Sequence, residues 1–334
     1  MMRLHRSLRL VPILALLGAA DGCHLTTSGD AMTTSSGASS STDASTGASS
    51  SAGTGGAGGA TSTTAATSTS AATTTGTGGT GAALPGWTLT WADEFDAPDG
   101  SPVDASKWES QVGGDGWGNQ EREYYTSDPL NAHQEGGNLV ITATKEGAAA
   151  HPCWYGACEL TSARLQTRGK LEQAYGRFEA RIQIPAGQGL WPAFWMLGND
   201  IGQHVWPSCG EIDIMENIGK EPGRVHGSMH GPGYSGGNPL TASLDLPGGA
   251  RFADGFHRFA VEWEPAAVRF YVDDTLYETR TPTDLPAGKK WVYDHPFFLL
   301  LNVAVGGGWP GDPDGSTSFP QRMLVDYVRV YQHS

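Results

Sequence analysis

Residues Gly176-Arg177-Phe178-Glu179-Ala180-Arg181-Ile182-Gln183-Ile184 alternate between polar and apolar side chains. A period of two is that of a β-strand with one face on a core and the other turned outward. The same texture recurs at 139–144, 258–262, 268–272, 297–303 and 323–331, with Gly, Pro, Asn or Asp between the runs. No long amphipathic helical pattern and no repeat of fixed period interrupts it. Strands at this spacing predict one all-β domain over residues 85–334, a sandwich of two antiparallel sheets.

What precedes the domain reads differently. Residues 24–84 are Ser, Thr, Ala and Gly with almost no charge. Such a tract buries too little apolar surface to offset the entropy of ordering, so a disordered linker is expected. In residues 1–23, Arg3, Arg6 and Arg9 lead into an apolar run at 10–20, stopped by Asp21. That run suits a signal peptide and is too short to span a bilayer. Cys23 lies where a lipoprotein signal peptidase would cut, which predicts a lipid anchor; Asp21 departs from that pattern, and ordinary cleavage with release is the alternative. Either way the chain is expected to be exported, secreted or membrane-anchored at the cell surface, and monomeric.

The net charge is −14, from 21 Lys and Arg against 35 Asp and Glu. Before residue 85 the three arginines cancel Asp21, Asp30 and Asp43, so the whole excess falls on the domain. An acidic domain repels phosphate backbones, which argues against nucleic acid and leaves neutral polysaccharides as partners. Cys153 and Cys158 are spaced to allow a small loop disulfide in an oxidising compartment, with Cys209 then left as a buried thiol. The lack of a C-x-x-C pair argues against zinc.

Gly210-Glu211-Ile212-Asp213-Ile214-Met215-Glu216-Asn217 carries the chemistry. Alternation puts Glu211 and Asp213 on one face and would send Glu216 to the other. A β-bulge near Ile214-Met215 would return Glu216 to the face of the other two acids, and the sequence predicts that bulge. Three acids on one strand could be a solvated face. Trp191, Trp195 and Trp206 flank the strand, however, and aromatic faces are what sugar rings stack on. Cleaving a glycosidic bond needs one ionised and one protonated carboxyl group; at a separation of about 5–5.5 Å they work by double displacement. Asp213 between them would raise a neighbour's pKa or orient the nucleophile.

Glu-Ile-Asp-Ile-Met-Glu resembles the signature of glycoside hydrolase family sixteen, in the longer form of its laminarinase (endo-β-1,3-glucanase) branch. Further segments are similar to that family: Trp91-Ala92-Asp93-Glu94-Phe95, Gly116-Trp117-Gly118-Asn119-Gln120-Glu121, Ser162-Ala163-Arg164-Leu165, Gly189-Leu190-Trp191-Pro192-Ala193-Phe194-Trp195, His226-Gly227-Ser228-Met229-His230 and Val325-Asp326-Tyr327. The resemblance implies a jelly-roll β-sandwich with a concave cleft. It implies Glu211 as nucleophile, Glu216 as acid/base and Asp213 as the assisting carboxylate of a retaining endo-hydrolase of β-1,3- or mixed β-1,3/1,4-glucan. Trp191 and Trp195 would stack on glucosyl units, one of them competing with a core role. Trp117, Asn119, Arg164 and His230 would contact the sugar; Asn119 could instead hold a turn and Arg164 an ion pair. No cofactor is needed for the chemistry. A structural calcium on Glu94, Asp326 and the Gly137 carbonyl is expected by the same likeness. The alternatives are another β-linked polysaccharide, transglycosylation, or a glucan-recognition module without catalysis.

Overall fold

In the computed structural model the described residues are 84–334; the predicted signal peptide, Cys23 and all of the predicted linker except Leu84 lie outside them. Two large antiparallel sheets form the domain, a jelly-roll sandwich. The first runs Thr275–Arg280, Ala267–Val272, His257–Glu264, Gly176–Gln183, Gln321–His333, Asn138–Ala143, Ala132–Glu135. Its 13-residue strand Gln321–His333 borders Gly176–Gln183 on one side and, in succession, Asn138–Ala143 and Trp87–Asp93 on the other. The second sheet runs Leu240–Asp245, Arg224–His230, Glu211–Glu216, Leu190–Gly198, Phe297–Val305, Arg164–Gln166, Glu109–Gln111.

The alternation that opened the sequence reading sets which side chains meet between the sheets. Phe178, Ala180 and Ile182 are fully buried and join one apolar cluster with Phe194, Met196, Ile212, Met229, Leu299 and Leu301 of the second sheet. Each such large side chain contributes about 1.5–3 kcal/mol on leaving water. The outward positions Arg177 and Glu179 are buried as well, at 6% and 3% exposure, against the simple reading of a solvent-facing side. Their charges are paired: Arg177 donates to Glu179 at 2.6 Å and to Glu262 at 3.0 Å, and the Tyr327 hydroxyl donates to Glu179 at 2.8 Å. Pairing with full hydrogen bonding is what makes buried charge tolerable.

Phe297–Val305 is buried at every position. Its odd-numbered residues enter the main core. On the opposite face Phe298 and Leu300 pack with Leu197 and Cys209 in a second, smaller cluster, against which Trp195 and Trp206 rest. This second cluster floors the face on which the acids stand.

Candidate active site

The Glu211–Glu216 strand lies between Leu190–Gly198 and Arg224–His230. Against the first neighbour the register passes from Met215↔Phe194 to Asp213↔Trp195; against the second it passes from Asp213↔Ser228 to Glu216↔His226. The first skip leaves Ile214 unpaired and the second sets Ile214 and Met215 against Gly227 alone, the additional residue of a β-bulge. Ile212, Ile214 and Met215 all enter the core. Glu216 thereby returns to the face of Glu211 and Asp213.

Glu211 and Glu216 are each held by an indole donor. Trp206 Nε1 donates to Glu211 Oε2 at 3.0 Å, and Trp191 Nε1 donates to Glu216 Oε1 at 2.9 Å. His230 Nδ1 accepts the Gly236 backbone N–H at 3.2 Å, so in the neutral ring Nε2 carries the hydrogen. That Nε2 lies 3.1 Å from Asp213 Oδ2 and 3.7 Å from Glu211 Oε1. The Asp213 contact is a close electrostatic approach rather than an aligned hydrogen bond.

Burial pushes Glu211 up to about 8, and Asp213 and Glu216 add to the rise while His230 and Arg164 oppose it. Burial, then Asp213, likewise pushes Glu216 up to about 8, with His230 and the Trp191 hydrogen bond opposing. Asp213 is raised well above the usual carboxylate range by burial. Glu211 and Glu216 therefore hold their protons more tightly in the fold than the same groups do in the unfolded chain. The folded pKa values lie above the unfolded ones, so stability falls as pH rises from about 4.5 toward 8. Glu211→Gln should remove one such group: at pH 7–8 the variant should gain on the order of 2–4 kcal/mol over the parent, and at pH 4 almost nothing. Thermal melting of both proteins across that range checks it.

The remaining expected residues fall into two groups. Trp191 and Trp195 occupy one regular strand at an even spacing and both face the acids, so neither is a core residue. Among the described residues Arg164 has no acidic partner: it donates to Gln111 at 2.6 Å, and its guanidinium lies between the rings of Trp117 (4.6 Å) and Trp195 (4.7 Å). Asn119 is turned to the loop, its amide donating to Glu121 at 2.8 Å. Glu94 and Asp326, expected on calcium, carry arginine partners instead. Arg329 grips both Glu94 oxygens at 2.8 and 2.7 Å, and Arg181 meets Asp326 at 2.7 Å. Gly137 sits with Gly136 in the turn joining Ala132–Glu135 to Asn138–Ala143.

Among the described residues one cluster could gather metal ligands: Glu211, Asp213 and His230, with ligand atoms within 4.8 Å of one another.

Comparison with known proteins names the family. The model of glycosyl hydrolases family 16 matches residues 119–329. The chain belongs to that family. A β-glucanase of Rhodothermus marinus is 45% identical over 262 residues, covering 74% of this chain and 86% of its own. The laminarinase catalytic domain of Thermotoga maritima is 48% identical with a TM-score of 0.69, covering 74% of this chain and 99% of that one. A non-specific endo-β-1,3(4)-glucanase of the family is 35% identical with a TM-score of 0.67, covering 76% and 94%.

In this family 16 domain three contributors carry no assigned role in the sequence reading. Trp206 was placed beside the strand only as a neighbour, and its bond to Glu211 is made from the loop before it. Trp309 packs edge-on against Trp191 at 5.3 Å and His226 at 5.1 Å, closing the Glu216 side. Asn302 accepts from Trp195 Nε1 at 2.7 Å and donates to the Tyr125 hydroxyl at 3.2 Å, which donates to Glu121 at 2.9 Å. A single polar residue in the apolar run 297–305 was the available signal for Asn302.

Proposed function

We propose that this chain is an endo-acting hydrolase of β-1,3-glucan or mixed β-1,3/1,4-glucan, working by double displacement with net retention. The observation that carries the reading is the bulged strand that sets Glu211 and Glu216 on one indole-walled face. Glu211 attacks the anomeric carbon as carboxylate. The Trp206 N–H donates to it, and the Arg164 charge opposes its upward shift, which supports the ionised form. Glu216 keeps its proton and gives it to the leaving glycosidic oxygen, then takes one from water as that water releases the glucosyl unit. Asp213, between them, raises both pKa values and keeps the second proton in place. Trp191 and Trp195 offer stacking faces to glucosyl units.

The leader pattern at residues 1–23 supports export, which suits an enzyme for a polymer too large to be taken up. The intact acid triad favours catalysis over a glucan-recognition module, and the domain's acidity disfavours sulfated polymers. Reducing ends released from laminarin, lichenan and agarose test the reading. Laminarin is expected to be cut with or without lichenan, in a pattern of mixed oligosaccharides. Release from agarose alone would overturn it.

A further inference from the structure

Trp154 is half exposed, the most exposed of the described tryptophans, and it is held firmly. It lies at the tip of the hairpin Pro152–Cys153 and Gly156–Ala157, which the Cys153–Cys158 disulfide closes. Its indole Nε1 donates to the Glu121 carbonyl at 2.8 Å, and its backbone N–H donates to the Gly114 carbonyl at 2.8 Å. Tyr155 braces it edge-on at 5.3 Å while donating its own hydroxyl to the Arg122 carbonyl at 2.6 Å. The indole lies over Gly116, where a β-carbon would come within 3.0 Å of the ring. The hydrogen bonds of Trp154 and Tyr155 and the Gly116 contact all reach the loop that carries Trp117, whose ring covers the Arg164 guanidinium beside Trp195.

These bonds fix the indole in place while leaving half of its surface open. A pre-ordered aromatic face loses little entropy when a sugar ring stacks on it. We propose that Trp154 is a stacking platform for a glucosyl unit of the same β-glucan chain, lengthening the binding face past Trp117. The occupant follows from continuity: a chain lying over Trp195, Arg164 and Trp117 runs on toward the loop that Trp154 abuts. The hairpin then ties cleft length to a segment outside the motifs that resemble the family. This rests on the glucan-hydrolase reading.

The test is kcat/KM for Trp154→Ala, Trp154→Phe and the parent on β-1,3-gluco-oligosaccharides from trimer to octamer. Expected is a loss of about 5–20-fold for Trp154→Ala on the longest oligomers, carried by KM. The shortest cleaved oligomer should be unaffected, and Trp154→Phe should recover most of the loss. Equal loss at every length would mean a merely structural hairpin, and no loss at any length would mean a bystander; either overturns the platform. A parent inert on all of these oligomers and on laminarin would sink the glucan-hydrolase reading and the platform with it.

Discussion

Glu211→Gln is expected to lower kcat on β-1,3-glucan by at least about 10⁴-fold while the protein stays folded. The amide keeps the shape and still accepts from Trp206 Nε1, but it cannot attack an anomeric carbon. The loss should lie in kcat, because the stacking indoles that bind substrate are untouched. The stability gain argued above makes the case stronger: a more stable and far less active protein is what removal of a buried catalytic carboxyl produces, and misfolding would give the opposite stability change. A variant with full activity would show that another group attacks the sugar.

The second large effect concerns Glu216→Ala. Loss of the general acid should cost about 10²–10⁴-fold on glucan. The cost arises because a sugar alkoxide is a poor leaving group. On an aryl β-glucoside oligomer with an acidic phenol as leaving group the first step needs no proton, so formation of the covalent intermediate should be nearly spared. Its breakdown should still be slow until a small anion such as azide replaces the water that Glu216 would have activated. In the parent, kcat/KM should fall above about pH 8 as the acid loses its proton, since burial and Asp213 hold Glu216 near that value. Equal loss on both substrates and no azide rescue would remove Glu216 from the acid/base role.

How far the residues alone led depended on how local each signal was. The strand period at 176–184 is written in neighbouring side chains and was legible. So was the bulge, because Glu216 stands an odd number of positions from Glu211 and only an additional residue brings it back to that face. The burial of Arg177 and Glu179 was not legible: their partners Glu262 and Tyr327 are distant in sequence and meet them only across strand pairs. Arg164 shows the same limit. The residues leave Arg164 between a sugar contact and an ion pair, and only the folded sheet reveals that Trp117 and Trp195 flank it. For Glu94 and Asp326 the family likeness suggested a cation, whereas the strand pairing supplies arginines at both places.

The most direct measurement is the anomeric form of the first product, followed by proton NMR within the first turnovers on a β-1,3-gluco-oligosaccharide. The double displacement proposed for Glu211 and Glu216 requires the new reducing end to appear as the β-anomer and only later to mutarotate. An α-anomer at the earliest times would mean attack by water across a wider gap, and would contradict the roles assigned to Glu211 and Glu216.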